Sequence, residues 1–105
     1  MSLREMQPLR RREDRIPMEI PVVLRGHRQV PGTESTFTEN VSGKGARVIS
    51  VRRWEKGSPV EFASRTGEFR SAARVAYCQP IHGDGYAIGV EFLETKGRWV
   101  VESKN

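Results

Sequence analysis

Apolar residues come in short bursts along this chain, separated by turn formers. Met18-Glu19-Ile20-Pro21-Val22-Val23-Leu24-Arg25 is rich in β-branched residues and bounded by Pro17 and Gly26, which predicts a first strand. Pro21 within it predicts an edge position or a bulge, because proline has no N–H to give a ladder. Pro31-Gly32 marks a turn, and the Thr-rich stretch from Thr33 to Thr38 predicts a second strand. Asn40-Val41-Ser42-Gly43-Lys44-Gly45 reads as a compact turn or loop, since Asn, Ser and Gly all favour turns. A third strand is predicted from Ala46 to Val51 and a fourth over Val60-Glu61-Phe62. Phe69 to Tyr77 predicts a fifth, with Ala73, Val75 and Tyr77 on one face by the period of two. Tyr86 to Phe92 predicts the sixth. Arg65-Thr66-Gly67-Glu68 and His82-Gly83-Asp84-Gly85 are hairpin signals between them. Leu93 to Val101 fits either a short helix interrupted by Gly97 or a further strand.

Six short strands separated by turns predict an all-β fold, a small antiparallel barrel or sandwich. Residues 1–16 are polar and Arg-rich, contain Pro8 and show no apolar period; they read as a flexible N-terminal arm. The expected organisation is an arm over residues 1–16, a barrel over 17–93 and a short C-terminal tail over 94–105.

Length and charge narrow the function. A chain of 105 residues is one domain with a modest core. No run approaches about 18 apolar residues, so no membrane-inserted helix is expected. No secretory signal pattern is present, and a single Cys78 supports neither a disulfide framework nor a multi-cysteine zinc site. A cytoplasmic setting is expected. The net charge is +5, and fourteen of the eighteen cations are Arg. Such a balance points to an anionic partner: nucleic acid, a nucleotide or a membrane surface. The Arg bias adds a preference for planar, bidentate recognition of phosphate and guanine edges.

Enzyme constellations are nearly absent. His27 and His82 have no partner base or nucleophile in a recognisable spacing, Cys78 reads as a small strand hydrophobe, and no metal-ligand spacing occurs. No catalysis, metal or cofactor is therefore expected.

Two motifs remain. Arg-x-x-x-Arg occurs at Arg11/Arg15 and at Arg70/Arg74; in a chain this rich in Arg, chance gives on the order of two such pairs. An Asn or Asp, then Ser two residues on, then Gly three further, is rarer: chance gives about 0.03. It occurs at Asn40, Ser42 and Gly45. The bland reading of that motif is a tight turn. The order of the two motifs, arm then strands then turn, adds to the signal.

At these residues the sequence resembles the PilZ family, bacterial receptor domains for cyclic di-GMP. Arg11 and Arg15 match the family's Arg-x-x-x-Arg arm, and Asn40, Ser42 and Gly45 match its Asp/Asn-x-Ser-x-x-Gly segment. Ile16-Pro17-Met18-Glu19-Ile20-Pro21-Val22, the apolar strand after Gly45 and the late Tyr86–Phe92 strand extend the resemblance over roughly residues 10–93. It implies a six-stranded antiparallel β-barrel of the split-barrel type. The family often adds a C-terminal helix, for which Leu93 to Asn105 is short, charged and interrupted.

The implied ligand suits these residue types. A guanidinium fork satisfies O6 and N7 of guanine together and stacks on a purine face, which assigns Arg11 and Arg15 to the ligand. Arg10 and Arg12 flank them and are secondary candidates, for phosphates or a second ligand molecule. Asn40 and Ser42 share a face of an extended segment and can read a guanine edge or a phosphate oxygen. Gly45 supplies an unusual backbone conformation or room for close approach. The implied mechanism is an arm, residues 4–16, that orders on ligand binding and signals to a partner protein, itself not identifiable. Ordering costs on the order of 1–2 kcal/mol of backbone entropy per residue, so micromolar affinity is expected. The alternatives are a nucleic-acid-binding small barrel with Phe37, Trp54, Phe69 and Tyr77 as stacking groups, and a PilZ-like protein adaptor that binds no ligand.

Overall fold

The computed structural model describes residues 14–102. Arg10, Arg11 and Arg12 lie outside the described residues, as does most of the arm. Seven strands follow one another: β1 (Ile16–Pro17), β2 (Pro21–Arg25), β3 (Thr33–Ser42), β4 (Gly45–Ser50), β5 (Pro59–Ser64), β6 (Phe69–Pro80) and β7 (Tyr86–Gly97). No helix occurs among the described residues. The hydrogen-bonded order β3-β2-β5-β6-β7-β4 is closed by pairing of β3 with β4, giving a six-stranded antiparallel barrel. β1 pairs with the end of β3 opposite β4, on the edge that β2 occupies further along that strand. Closure leaves no long unpaired edge through the middle of the sheet.

Alternation builds the core. Val22 and Leu24, Val60 and Phe62, Ala73 and Val75, and Ile88 and Val90 are buried pairs two residues apart on successive strands. Intervening residues such as Val23, Glu61 and Arg74 face outward or are partly exposed. Trp54 and Trp99 sit at opposite ends of the barrel. Trp54 is buried, and its indole N–H donates to Ser50 Oγ at 3.1 Å. Ser50 donates in turn to the buried Glu34 carboxylate at 2.8 Å, whose second oxygen accepts the Val51 N–H at 2.8 Å. Trp99 packs with Phe62, Phe69 and Phe92 at ring separations of 4.7–5.5 Å. Its N–H donates to the Ser42 carbonyl at 2.9 Å.

The structure changes several sequence expectations. The first predicted strand is shorter than expected: it opens at Pro21, and Met18 to Ile20 link β1 to β2 along β3, tied down by Thr38. That buried hydroxyl donates to the Met18 carbonyl at 2.7 Å and accepts the Ile20 N–H at 2.9 Å. Pro21 opens β2, where a missing N–H costs the ladder least. The segment Asn40–Gly45 is mostly strand rather than loop. Asn40, Val41 and Ser42 end β3, Gly45 begins β4, and only Gly43 and Lys44 turn between them. Two turn formers sit inside a ladder because the barrel supplies partners on both sides of β3.

Tyr77 does not share the inner face of Ala73 and Val75. The β6–β7 register shifts between Val75 and Tyr77; a bulge there re-aims the following side chains. Tyr77 meets the outer-face Arg47 and Cys78 packs on the core instead. Leu93 to Val101 is neither a helix nor a separate strand. β7 continues to Gly97, paired with Phe69, and the chain then turns to deliver Trp99.

Candidate functional site

The ladder brings the two halves of the sequence signature together. β1 pairs with the end of β3 in the register Ile16↔Val41 and Pro17↔Asn40. Arg15, immediately before β1, therefore lies beside Asn40, and its Nη1 donates to Asn40 Oδ1 at 2.7 Å. The two residues are 25 positions apart in sequence, and the contact is on the protein surface.

Asn40 owes its outward position to a second bulge. Thr38 pairs with Val48 and Asn40 with Arg47, so Glu39 is the extra residue. Strict alternation from the buried Thr38 would have turned Asn40 inward. With the bulge, Val41 enters the core and Asn40 faces out opposite Arg47.

Arg47 is the hub of the outer face. Its Nε donates to Glu39 Oε1 at 2.8 Å, and its Nη1 donates to Tyr77 Oη at 3.1 Å and to Gln79 Oε1 at 3.2 Å. The guanidinium lies 5.8 Å from the Tyr77 ring centre. The hydrogen bond to Glu39 foremost, then that to Tyr77, raises the Arg47 pKa above its ordinary value. Gly89 makes this arrangement possible: it lies between Arg47 and Tyr77 in the sheet, and a Cβ there would overlap the Tyr77 ring.

Ser42 and Gly45 are placed differently. Ser42 is buried, and its hydroxyl accepts the Lys44 N–H at 3.3 Å within its own turn. Gly45 is buried too and has no positive φ. A Cβ at Gly45 would overlap the Val90 carbonyl oxygen of β7. The space a glycine opens here is taken by the neighbouring strand, which gives Gly45 a structural reason of its own.

The arrangement presents two guanidinium groups, Arg15 and Arg47, around one amide. A carboxamide and paired guanidiniums on a solvent-facing wall suit an anionic, planar, hydrogen-bonding ligand. Among the described residues no group of three or more His, Cys, Asp or Glu side chains converges as a metal site, and no helix is long and apolar enough to cross a membrane. His27 serves the fold. Its ring packs edge-on against Trp54 at 4.6 Å, and Nδ1 accepts the N–H groups of Gln29 and Val30.

A family model described as PilZ domain matches residues 9–98. The chain belongs to the PilZ domain family. That match spans both halves of the signature, including the arm residues outside the structure. A solved structure, the Bacillus subtilis inhibitor of motility MotI/DgrA, resembles this PilZ domain with a TM-score of 0.67 at 17% identity. The likeness covers 81% of this chain and 43% of that one. The PilZ chain thus spans less than half of that protein's length, and at this identity the likeness concerns the barrel fold. No curated protein sequence matches significantly. PilZ domains are a family of cyclic di-GMP receptors and are generally non-catalytic.

The sequence motifs include Arg15 and Asn40, which the structure joins; they gave no role to Arg47 or Gln79, and Tyr77 entered only as a stacking group of the nucleic-acid alternative. Arg47 was within reach: in a two-residue hairpin between Ser42 and Gly45, cross-strand pairing runs outward towards it. The bulge at Glu39 and the long reach of Tyr77 across Gly89 have no comparable sequence signal.

Proposed function

We propose that this PilZ domain is a non-catalytic receptor that binds cyclic di-GMP on the outer wall formed by β1, β3 and β4. Arg11 and Arg15 grip the guanine and phosphate groups, and Asn40 anchors a base edge or a phosphate oxygen. Ser42 and Gly45 shape the hairpin that carries Asn40, with Arg10 and Arg12 as secondary contacts. The ordered arm then signals to a protein partner. One observation supports the reading: the Arg15–Asn40 hydrogen bond at 2.7 Å, between one residue of the arm motif and one of the hairpin motif. A dianionic dinucleotide exchanges that contact for a bidentate purine contact to Arg15 and an amide contact to Asn40.

The nucleic-acid reading is less well supported. Of the four aromatics it needs, Trp54 and Phe69 are each only 3% exposed, which leaves too few faces for stacking along a strand.

Isothermal titration with cyclic di-GMP, GTP and a short oligonucleotide tests the proposal. Micromolar or tighter binding of cyclic di-GMP alone is expected, and Arg15→Ala or Asn40→Ala should each weaken it about tenfold or more, as for a lost charge-assisted contact. The molar ratio distinguishes one ligand from a stacked pair. No cyclic di-GMP binding by the intact chain would refute the receptor reading and leave a protein-adaptor role.

A further inference from the structure

The wall holds one charge of the wrong sign for an anionic ligand. Glu39 is the bulged residue of β3, adjacent in sequence to Asn40, and its carboxylate binds Arg47 Nε at 2.8 Å. Both side chains are partly exposed, 27% for Arg47 and 47% for Glu39, so the pair is formed at the surface where a ligand arrives. The nearby Glu91 is already held by Arg74 from the adjoining strand pair. Glu39 is therefore the carboxylate bound to a cation of the candidate wall. With Nε on Glu39 and Nη1 on Tyr77 and Gln79, Arg47 is neutralised and largely committed in the ligand-free protein.

We infer that Glu39 is an internal competitor for the ligand, a counter-ion that sets the affinity of the anion-binding wall by occupying Arg47. The inference rests on the receptor reading above. Two effects act in one direction. A dianion that engages Arg47 displaces the Glu39 carboxylate or shares the guanidinium with it, and one that does not engage Arg47 lies beside that negative charge. The bulge is what enforces this, because it puts two consecutive side chains, Glu39 and Asn40, beside the same cross-strand arginine. A receptor built this way has its dissociation constant raised by a factor set by the strength of an exposed ion pair.

The experiment is calorimetric titration of cyclic di-GMP into the intact chain and into Glu39→Gln, at low and at high salt. Glu68→Gln, in the β5–β6 turn, makes the same change of net charge away from the wall and is the control. Circular dichroism and thermal melts check that both variants fold. Glu39→Gln should bind about two- to fivefold tighter than the unsubstituted protein at low salt, the range of an exposed ion pair, and the gain should shrink at high salt. Glu68→Gln should bind as the unsubstituted protein does. Unchanged or weaker binding by Glu39→Gln, with the unsubstituted protein still binding, overturns the inference alone; weaker binding makes Glu39 a group that orients Arg47 for the ligand. An equal gain in Glu68→Gln overturns it in favour of net charge. Absence of binding in every variant removes the receptor reading and this inference with it.

Discussion

Two glycines of the site wall do different work, and their substitution separates the effects. At Gly45 a Cβ would run into the backbone carbonyl of Val90, and at Gly89 into the ring of Tyr77. A backbone atom inside a ladder has nowhere to go, whereas a ring on the outer face can swing away. Gly45→Ala should therefore cost about 1–3 kcal/mol, the range of an overpacked interior, and Gly89→Ala clearly less. Urea denaturation of the two variants checks the ranking; equal costs would mean that β7 gives way as easily as a side chain. The comparison bears on function too. Loss of ligand binding in Gly45→Ala alone reports a displaced hairpin, so Arg15 and Asn40 are the residues whose substitution tests recognition. At the same scale, the buried Ser42 illustrates how a polar residue in a signature segment can be spent on the turn itself, through the Lys44 N–H.

At the scale of elements, the β6–β7 hairpin supplies more than two walls of the ring. Its inner part carries Val75, Ile88 and Val90 into the core, its bulge turns Tyr77 towards Arg47, and its far end leads to Trp99. Trp99 is linked by its N–H to the Ser42 carbonyl and by its ring to Phe62, Phe69 and Phe92. Its two contributions can be told apart. Trp99→Phe keeps a ring in the aromatic cluster and loses the hydrogen bond, an expected cost of about 1 kcal/mol. Trp99→Ala loses both and should cost about 3 kcal/mol, as large-to-small aromatic changes do. If the two variants melt alike, the indole hydrogen bond rather than the aromatic packing secures the C-terminal segment. These elements also show where sequence pattern stops. The alternation of Ala73 and Val75 correctly placed them inside but carried Tyr77 inward with them. A bulge shifts the register by one residue without leaving a mark in the polarity pattern. The turn formers of Asn40–Gly45 overstated the length of the loop for a related reason. Local preference favoured a turn throughout, and pairing with β1 and β4 kept three of the six residues in β3.

For the molecule as a whole, closure makes the strands depend on one another. Phe62 is 1% exposed and touches the aromatic cluster at the Trp99 end. Phe62→Ala should cost roughly 3–5 kcal/mol, a large share of the stability of about 5–15 kcal/mol typical of a domain. Near-ultraviolet circular dichroism and tryptophan fluorescence should lose their native signals at one common, lowered urea concentration, since Trp54 and Trp99 report on opposite ends of one barrel. Two separate transitions would show that the ends unfold independently. The sequence by itself determined the class of the fold, the place of the six barrel strands and the family signature. Those rest on local facts: alternation, turn chemistry and residue spacing. Only the tertiary structure decided that Arg15 meets Asn40, that Ser42 and Gly45 are buried, and that Glu39 and Tyr77 gather on Arg47, the cross-strand partner of Asn40. Those are matters of register between strands distant in the chain. Register is set by bulges and by ring closure, which depend on what each strand finds beside it and not on its own residues alone.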